Sequence, residues 1–123
     1  MLRLKSQEQF ETEVLRSVKL NSADTPEAYI LGAKTGPTYV CIVFSAAWCG
    51  PCKKLDKEGL VRAHADITWY GCDVDENTYT HGYCGLKKIP SYVFVKNGKF
   101  VDKLEGTTDI GAINSWLYVC RTK

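Results

Sequence analysis

The sequence predicts an α/β fold in which a central mixed five-stranded sheet is sandwiched by about four helices. Three observations lead there. From Ser17 onward, apolar runs of strand length alternate with stretches of helical periodicity, a pattern that produces parallel strands with crossover helices. Asn97-Gly98 separates two further strand-like runs and marks a type I′ hairpin, so the sheet gains an antiparallel half. The chain has 123 residues, enough for one domain with a real core and too few for two.

Residues 1–16 form an N-terminal extension, expected as a short docked helix or a loose arm, with Phe10, Val14 and Leu15 on one side; residues 17–123 form the domain. Ser17 to Asn21 reads as a short strand. Asp24 or Thr25 can then cap a helix with Pro26 at its first position and Glu27 in its first turn, with Ala28, Ile30, Leu31 and Ala33 as its apolar side. Gly32, Gly36 and Pro37 end it. Tyr39 to Phe44 is continuously apolar, as a strand covered on both faces must be, and belongs in the middle of the sheet.

A helix follows from about Pro51 to about His64, burying Leu55, Leu60 and Val61, with Gly59 a candidate kink. Ile67 to Val74 returns as a strand. Asp75, Glu76 and Asn77 make a turn and cap a short helix ending near Gly85. Ser91 to Lys96 and Lys99 to Leu104 flank the hairpin turn. Thr107, Thr108 and Asp109 offer a cap for a last helix whose Ile110, Ile113 and Leu117 recur at core spacing. The order is βαβαβαββα.

Net charge is +2 with both signs mixed, too weak to imply nucleic acid or an anionic membrane, so the expected partners are proteins. No apolar run is long enough to span a bilayer, and the first residues lack the apolar centre of a secretory signal. Glu8, Glu11 and Glu13 among the early residues argue against a mitochondrial transit peptide, and the cytosol is the expected compartment. In such a reducing compartment most of the six cysteines are expected as thiols, and a disulfide as catalytic.

The chemistry concentrates in Trp48-Cys49-Gly50-Pro51-Cys52, at a strand-to-helix junction. A cysteine there faces unpaired backbone N–H groups and the positive end of the helix dipole, both of which favour thiolate. Cys49 is the candidate nucleophile. Cys52 lies one turn further on the same face, within reach of a disulfide made by Cys49. A zinc site is the competing reading, since Cys-x-x-Cys is half of many such sites; no second Cys-x-x-Cys follows, Cys72, His81 and Cys84 lack a ligand spacing, and no metal is expected.

WCGPC followed by Lys53 resembles the active-site motif of the thioredoxin family, and FSAAWCGPCKK, DVDEN, KIPSYVFVKNGK and the Gly106 bend extend the resemblance from Ser17 to the last helix. The resemblance implies the thioredoxin fold and a general protein disulfide reductase. It implies a cis Ile89-Pro90 bond whose backbone pairs with an extended substrate segment, and a shallow apolar contact surface framed by Trp48, Gly50, Pro51, Ile89, Pro90 and Gly106. No bound cofactor is expected; the working group is the Cys49–Cys52 disulfide, re-reduced by NADPH through the flavoprotein thioredoxin reductase. Clients would include ribonucleotide reductase and peroxiredoxin, and the chain is expected to be a monomer.

Two positions depart from the family. A buried Asp before the motif and a Lys on the neighbouring strand are replaced by Val43 and Gly71. Losing both together avoids an unpaired buried charge, which costs about 3 to 5 kcal/mol. Either Cys52 then deprotonates slowly or through water, in which case Val43→Asp accelerates resolution, or Val43 only packs the core and resolution never limits turnover.

Cys41 and Cys72, in apolar strands, read as inert core residues. Cys84 reads as a spectator thiol, with a regulatory role as the alternative; Cys120 as a source of adventitious dimers; His64 and His81 as surface residues. Lys87, Lys88, Lys53 and Lys54 form a solvated basic face, or one that biases docking toward acidic partners. Within the same fold, a trypanothione- or glutathione-linked dithiol carrier is an alternative, and an oxidase or isomerase a weaker one. In another class stands a partner-binding module whose thiols are incidental.

Overall fold

A computed structural model of the chain describes residues 1–19, 29–30 and 35–123. In chain order the elements are β1 (Leu2–Arg3), α1 (Gln7–Gln9, continued by a π-helical stretch over Phe10–Val14), β2 (Val18–Lys19), β3 (Tyr29–Ile30), β4 (Tyr39–Ser45), α2 (Gly50–Lys54), α3 (Lys57–Ala63), β5 (Ile67–Asp73), α4 (Thr80–Tyr83), β6 (Ser91–Lys96), β7 (Lys99–Glu105) and α5 (Ile110–Thr122). Five strands form a mixed sheet in the order β1-β5-β4-β6-β7, parallel from β1 to β4 and antiparallel from β4 to β7. The expected α/β architecture with a five-stranded mixed sheet is therefore present.

β4 is the central strand, and five consecutive residues of it, Val40 to Phe44, are buried. Alternate side chains feed two cores. Val40, Ile42 and Phe44 join Leu4, Phe10, Val14, Leu15, Tyr70 and Val93 on one face; Cys41 and Val43 join Leu60, Trp69, Tyr92, Phe94, Ile113 and Leu117 on the other. Burying these apolar side chains on both faces is the main stabilising term of the fold.

The first difference from expectation is the edge strand. It is Leu2–Arg3, paired in parallel with Tyr70 and Gly71, and not Ser17 to Asn21; Val18–Lys19 instead pairs with Tyr29–Ile30 in a separate two-stranded ribbon. Residues 1–16 thus supply a sheet strand and four core side chains, Leu4, Phe10, Val14 and Leu15. The helix expected from Pro26 to Ala33 lies largely outside the described residues, and within it Tyr29–Ile30 is strand; an aromatic and a β-branched residue suit that state.

The second difference is the long helix after the cysteines, which is two helices. Leu55 adopts an extended ψ of 124°, and Asp56 restarts the helix by accepting a hydrogen bond from Gly59 N at 3.0 Å. The break therefore falls at Leu55-Asp56 and not at Gly59. Its consequence is that α3 swings its first residue, Lys57, back toward the end of β4.

α5 begins as expected at Asp109, whose carboxylate accepts from Gly111 N at 3.3 Å. It is pinned at its other end by Arg121, whose Nε and Nη2 donate to the two oxygens of Asp66 at 2.8 and 2.9 Å. Arg121 Nη2 also donates to His64 Nδ1 at 2.9 Å, which leaves His64 Nε2–H to donate to Asn114 Oδ1 at 2.7 Å. His81 Nε2–H donates to the Lys88 carbonyl oxygen at 3.0 Å, and the ring packs edge-on against Phe44. Both histidines are half-buried and partnered, contrary to the surface reading; their partners come from distant segments and leave no local pattern.

Candidate active site

β4 ends at Ser45, and Ala46 to Trp48 turn the chain so that Cys49 sits at the N-cap of α2 with φ −82° and ψ 106°. Its Sγ accepts from Cys52 N at 3.3 Å, the cap contact that an Asp or Ser would otherwise make. Pro51 fills the first turn, where its missing N–H costs nothing. One turn on, Cys52 closes a disulfide with Cys49 across a Cα–Cα distance of 5.3 Å. Both are buried, at 4% and 3% exposure, in a small apolar cluster with Ala46, Val74 and Ile89. Lys53 and Lys54 lie exposed in the last turn of α2, where positive charge complements the helix dipole.

Ile89 packs beside the disulfide, at the start of the segment that runs into Pro90. The Ile89-Pro90 peptide is cis, and the Pro90 carbonyl accepts from Gly106 N at 2.8 Å, with Gly106 at φ 76°. Trp48 is 68% exposed, its indole Nε1–H donating to Asp75 Oδ2 at 2.9 Å, so the ring is held in place while its faces stay open. Gly50 and Pro51 are exposed beside it, Ile89 is half-buried and Pro90 buried.

Five further residues, none of them expected at the site from the sequence, border it. Glu105 Oε1 accepts from Lys87 N at 2.6 Å and Lys88 N at 3.1 Å, fixing the segment that leads into the cis bond; the Lys87 N–H above all holds its carboxyl below the usual carboxylate range. Asp75 holds Trp48; its only signal was its place in DVDEN. Ser45 and Asp73 are paired across β4 and β5 and, with Cys52, Lys53 and Lys57, line a cleft of 280 Å³. Lys57 Nζ donates to Ser45 Oγ at 3.2 Å.

Val43 is fully buried, and its register partner on β5 is Gly71. The space a Gly71 side chain would take is met by Met1 Sδ at 3.0 Å. The other cysteines stand apart from the disulfide. Cys41 and Cys72 are buried core residues, and burial pushes the Cys41 thiol far up and that of Cys72 up to about 12. Cys84 is half-buried beside Leu15, Tyr83 and Phe100, its thiol pushed by burial up to about 11. Cys120 is fully buried on α5, with its thiol pushed up to about 11 for the same reason, so the reading of it as a source of adventitious dimers is corrected.

A protein-family model described as Thioredoxin matches residues 25–118. The chain belongs to the thioredoxin family. The Cys49–Cys52 disulfide is consistent with that family's Cys-x-x-Cys pair. Thioredoxin from Gallus gallus is 36% identical over 73 residues, covering 58% of this chain and 70% of the relative. The TPR repeat-containing thioredoxin TDX of Oryza sativa subsp. japonica is 28% identical over 96 residues, 76% of this chain; the chain spans 30% of that relative's length and 24% of its Arabidopsis thaliana counterpart. Among solved structures, Malassezia sympodialis thioredoxin superposes with TM-score 0.70 at 25% identity, covering 96% of this chain and 90% of that one. A structure from a study of thiol resolution in yeast mitochondrial 1-Cys peroxiredoxin by the glutathione and thioredoxin systems shares the fold, with TM-score 0.74 at 21% identity, covering 97% and 94%. No helix among the described residues is long and apolar enough to cross a membrane.

Proposed function

We propose that this thioredoxin-family protein is a general reductant of protein disulfides. The observation that carries the proposal is the Cys49–Cys52 disulfide at the N-cap of α2, bordered by the cis Ile89-Pro90 bond and the exposed Trp48. In the reduced protein the Cys49 sulfur faces the first backbone N–H groups of α2, which favour thiolate. It attacks one sulfur of a client disulfide; the other client sulfur leaves as a thiolate, and a mixed disulfide remains. Cys52 then attacks the Cys49 sulfur, the second client thiolate leaves, and the Cys49–Cys52 bond re-forms. Two electrons pass to the client. The Cα separation of 5.3 Å makes the second attack effectively intramolecular.

Trp48, Gly50, Pro51, Ile89, Pro90 and Gly106 serve as the client-docking rim, and the open backbone beside the cis bond pairs with an extended client segment. Electrons return from NADPH through a thioredoxin reductase, and peroxiredoxin-type and ribonucleotide-reductase-type disulfides are the client class. The peroxiredoxin context of one structural neighbour supports that class. Residues 1–16, which contribute β1 and part of a core, belong to the same folded unit as residues 17–123 in this reading.

The test is insulin disulfide reduction driven by NADPH and thioredoxin reductase. Cys49→Ser is expected to abolish it, and Cys52→Ser to trap a mixed disulfide. Equal turnover by the Cys49→Ser protein would overturn the mechanism; inactivity of the intact chain with this reductase, but activity with a small dithiol, would overturn the proposed electron source.

A further inference from the structure

Val43 and Gly71 leave no acid behind Cys52, yet a carboxylate stands one pleat closer to the disulfide. Side chains two residues apart on a strand share a face, so Ser45 follows Val43 and Asp73 follows Gly71 on the same side of the sheet, and Ser45 and Asp73 are again register partners. The polar pair has moved along the strands toward the site. The break at Leu55-Asp56 brings Lys57 to it, with Nζ 3.2 Å from Ser45 Oγ. These groups open into the 280 Å³ cleft that Cys52 also lines. Such a volume holds water, and the walls supply the two or more polar partners a water needs.

We propose that Asp73 is the proton acceptor for Cys52, acting through water in this cleft, with Lys57 and Ser45 as positioning residues. The inference rests on the reductase reading above. In the mixed disulfide, the Cys52 S–H proton passes through water to a carboxylate oxygen of Asp73. The resulting thiolate attacks the Cys49 sulfur, the Cys49–client S–S bond breaks, and the departing client thiolate takes up a proton from water while Asp73 returns its own to solvent. Atoms and charge balance without any added co-reactant.

The charged groups around the cleft are Lys53 from α2, Lys57 from α3 and Asp73 from β5; β4 and its following turn add only Ser45, Ala46 and Ala47. Both lysines favour the thiolate as it forms. Asp73 Oδ1 already accepts from Asp75 N at 2.9 Å, so the oxygen left over is the one available to water.

That geometry chooses the variant. Asp73→Asn keeps an oxygen for Asp75 N and the same shape, but cannot accept the proton. Single-turnover reaction of the reduced full chain with insulin, quenched with acid and resolved on gels, reads attack and release separately across about pH 6 to 9. The expected result for Asp73→Asn is unchanged attack, release slowed about tenfold near pH 7 with mixed disulfide accumulating, and recovery toward the wild-type rate at the alkaline end. Asp73→Glu is expected to restore much of the neutral-pH rate. Release with the wild-type rate and pH profile would overturn the inference, as would a slowing uniform across pH, which marks a structural role. If Cys52→Ser traps no mixed disulfide with insulin, the reductase reading itself falls; if it traps one and Asp73→Asn releases normally, only the proton assignment falls.

Discussion

Val43 and Gly71 are register partners on adjacent strands, a fully buried valine facing a glycine whose missing side chain is replaced by the Met1 thioether. The pair is apolar, and its Val43 side is fully buried. Introducing Asp at Val43 alone buries a carboxylate without a partner and is expected to cost about 3 to 5 kcal/mol. Gly71→Lys meets only the end of a flexible Met1 side chain. The double variant Val43→Asp/Gly71→Lys should therefore recover part of the loss, seen as a favourable coupling energy in urea unfolding of all four proteins. Strict additivity would show that the two sites do not communicate.

The N-terminal segment should prove indispensable to the fold. Phe10→Ala removes a side chain only 1% exposed and is expected to cost about 3 to 5 kcal/mol, and a chain starting at Ser17 should lose cooperative unfolding. Calorimetry on both decides it; a sharp transition in the truncated chain would mean that β1 and Leu4 to Leu15 are dispensable.

Much of this architecture was legible because its signals are local. Asn97 and Gly98 carry φ of 52° and 75°, the left-handed turn their side chains allow, and Asp109 caps α5. β1 was missed because two residues show no period; only the distant Tyr70 and Gly71 define them as strand. The α2–α3 break was missed because Leu55 continues the apolar helical spacing while Asp56 interrupts it from the polar side. At the site, WCGPC and Ile89-Pro90 are contiguous and readable, whereas Glu105, Lys57 and Asp73 act across strands and helices, where spacing along the chain carries no signal.

Glu105 should govern docking without touching the sulfurs. Removing its carboxylate in Glu105→Ala frees the Lys87 and Lys88 N–H groups and loosens the approach to Pro90. KM for a protein disulfide is expected to rise about threefold or more, while reaction with a small aromatic disulfide stays unchanged. Its folded pKa lies below the unfolded value, so this anchoring is present above the ordinary carboxylate range and fades as pH falls through the lower folded value. An unchanged KM would exclude this role.

Asp66 and Arg121 should contribute acid-sensitive stability. The Arg121 hydrogen bonds hold the Asp66 carboxyl below its usual range, so the contribution is present above the unfolded pKa of about 3.9 and is lost as pH drops through the folded value. Because the Asp66 side chain is 50% exposed, screening limits the effect: Asp66→Asn is expected to cost about 0.5 to 1 kcal/mol at neutral pH and nothing near pH 2. Melting temperatures at the two pH values measure the difference.

β1 has a consequence for the order in which the molecule assembles. Its partner Tyr70-Gly71 is translated long after Leu2-Arg3, so the growing chain carries Leu4, Phe10, Val14 and Leu15 with no sheet to cover until β5 has left the ribosome. Without β1, the outer edge of β5 at Tyr70-Gly71 would be open to strands of other chains. Docking of the N-terminal segment therefore shields that stretch of the β5 edge as well as covering the core face beside it.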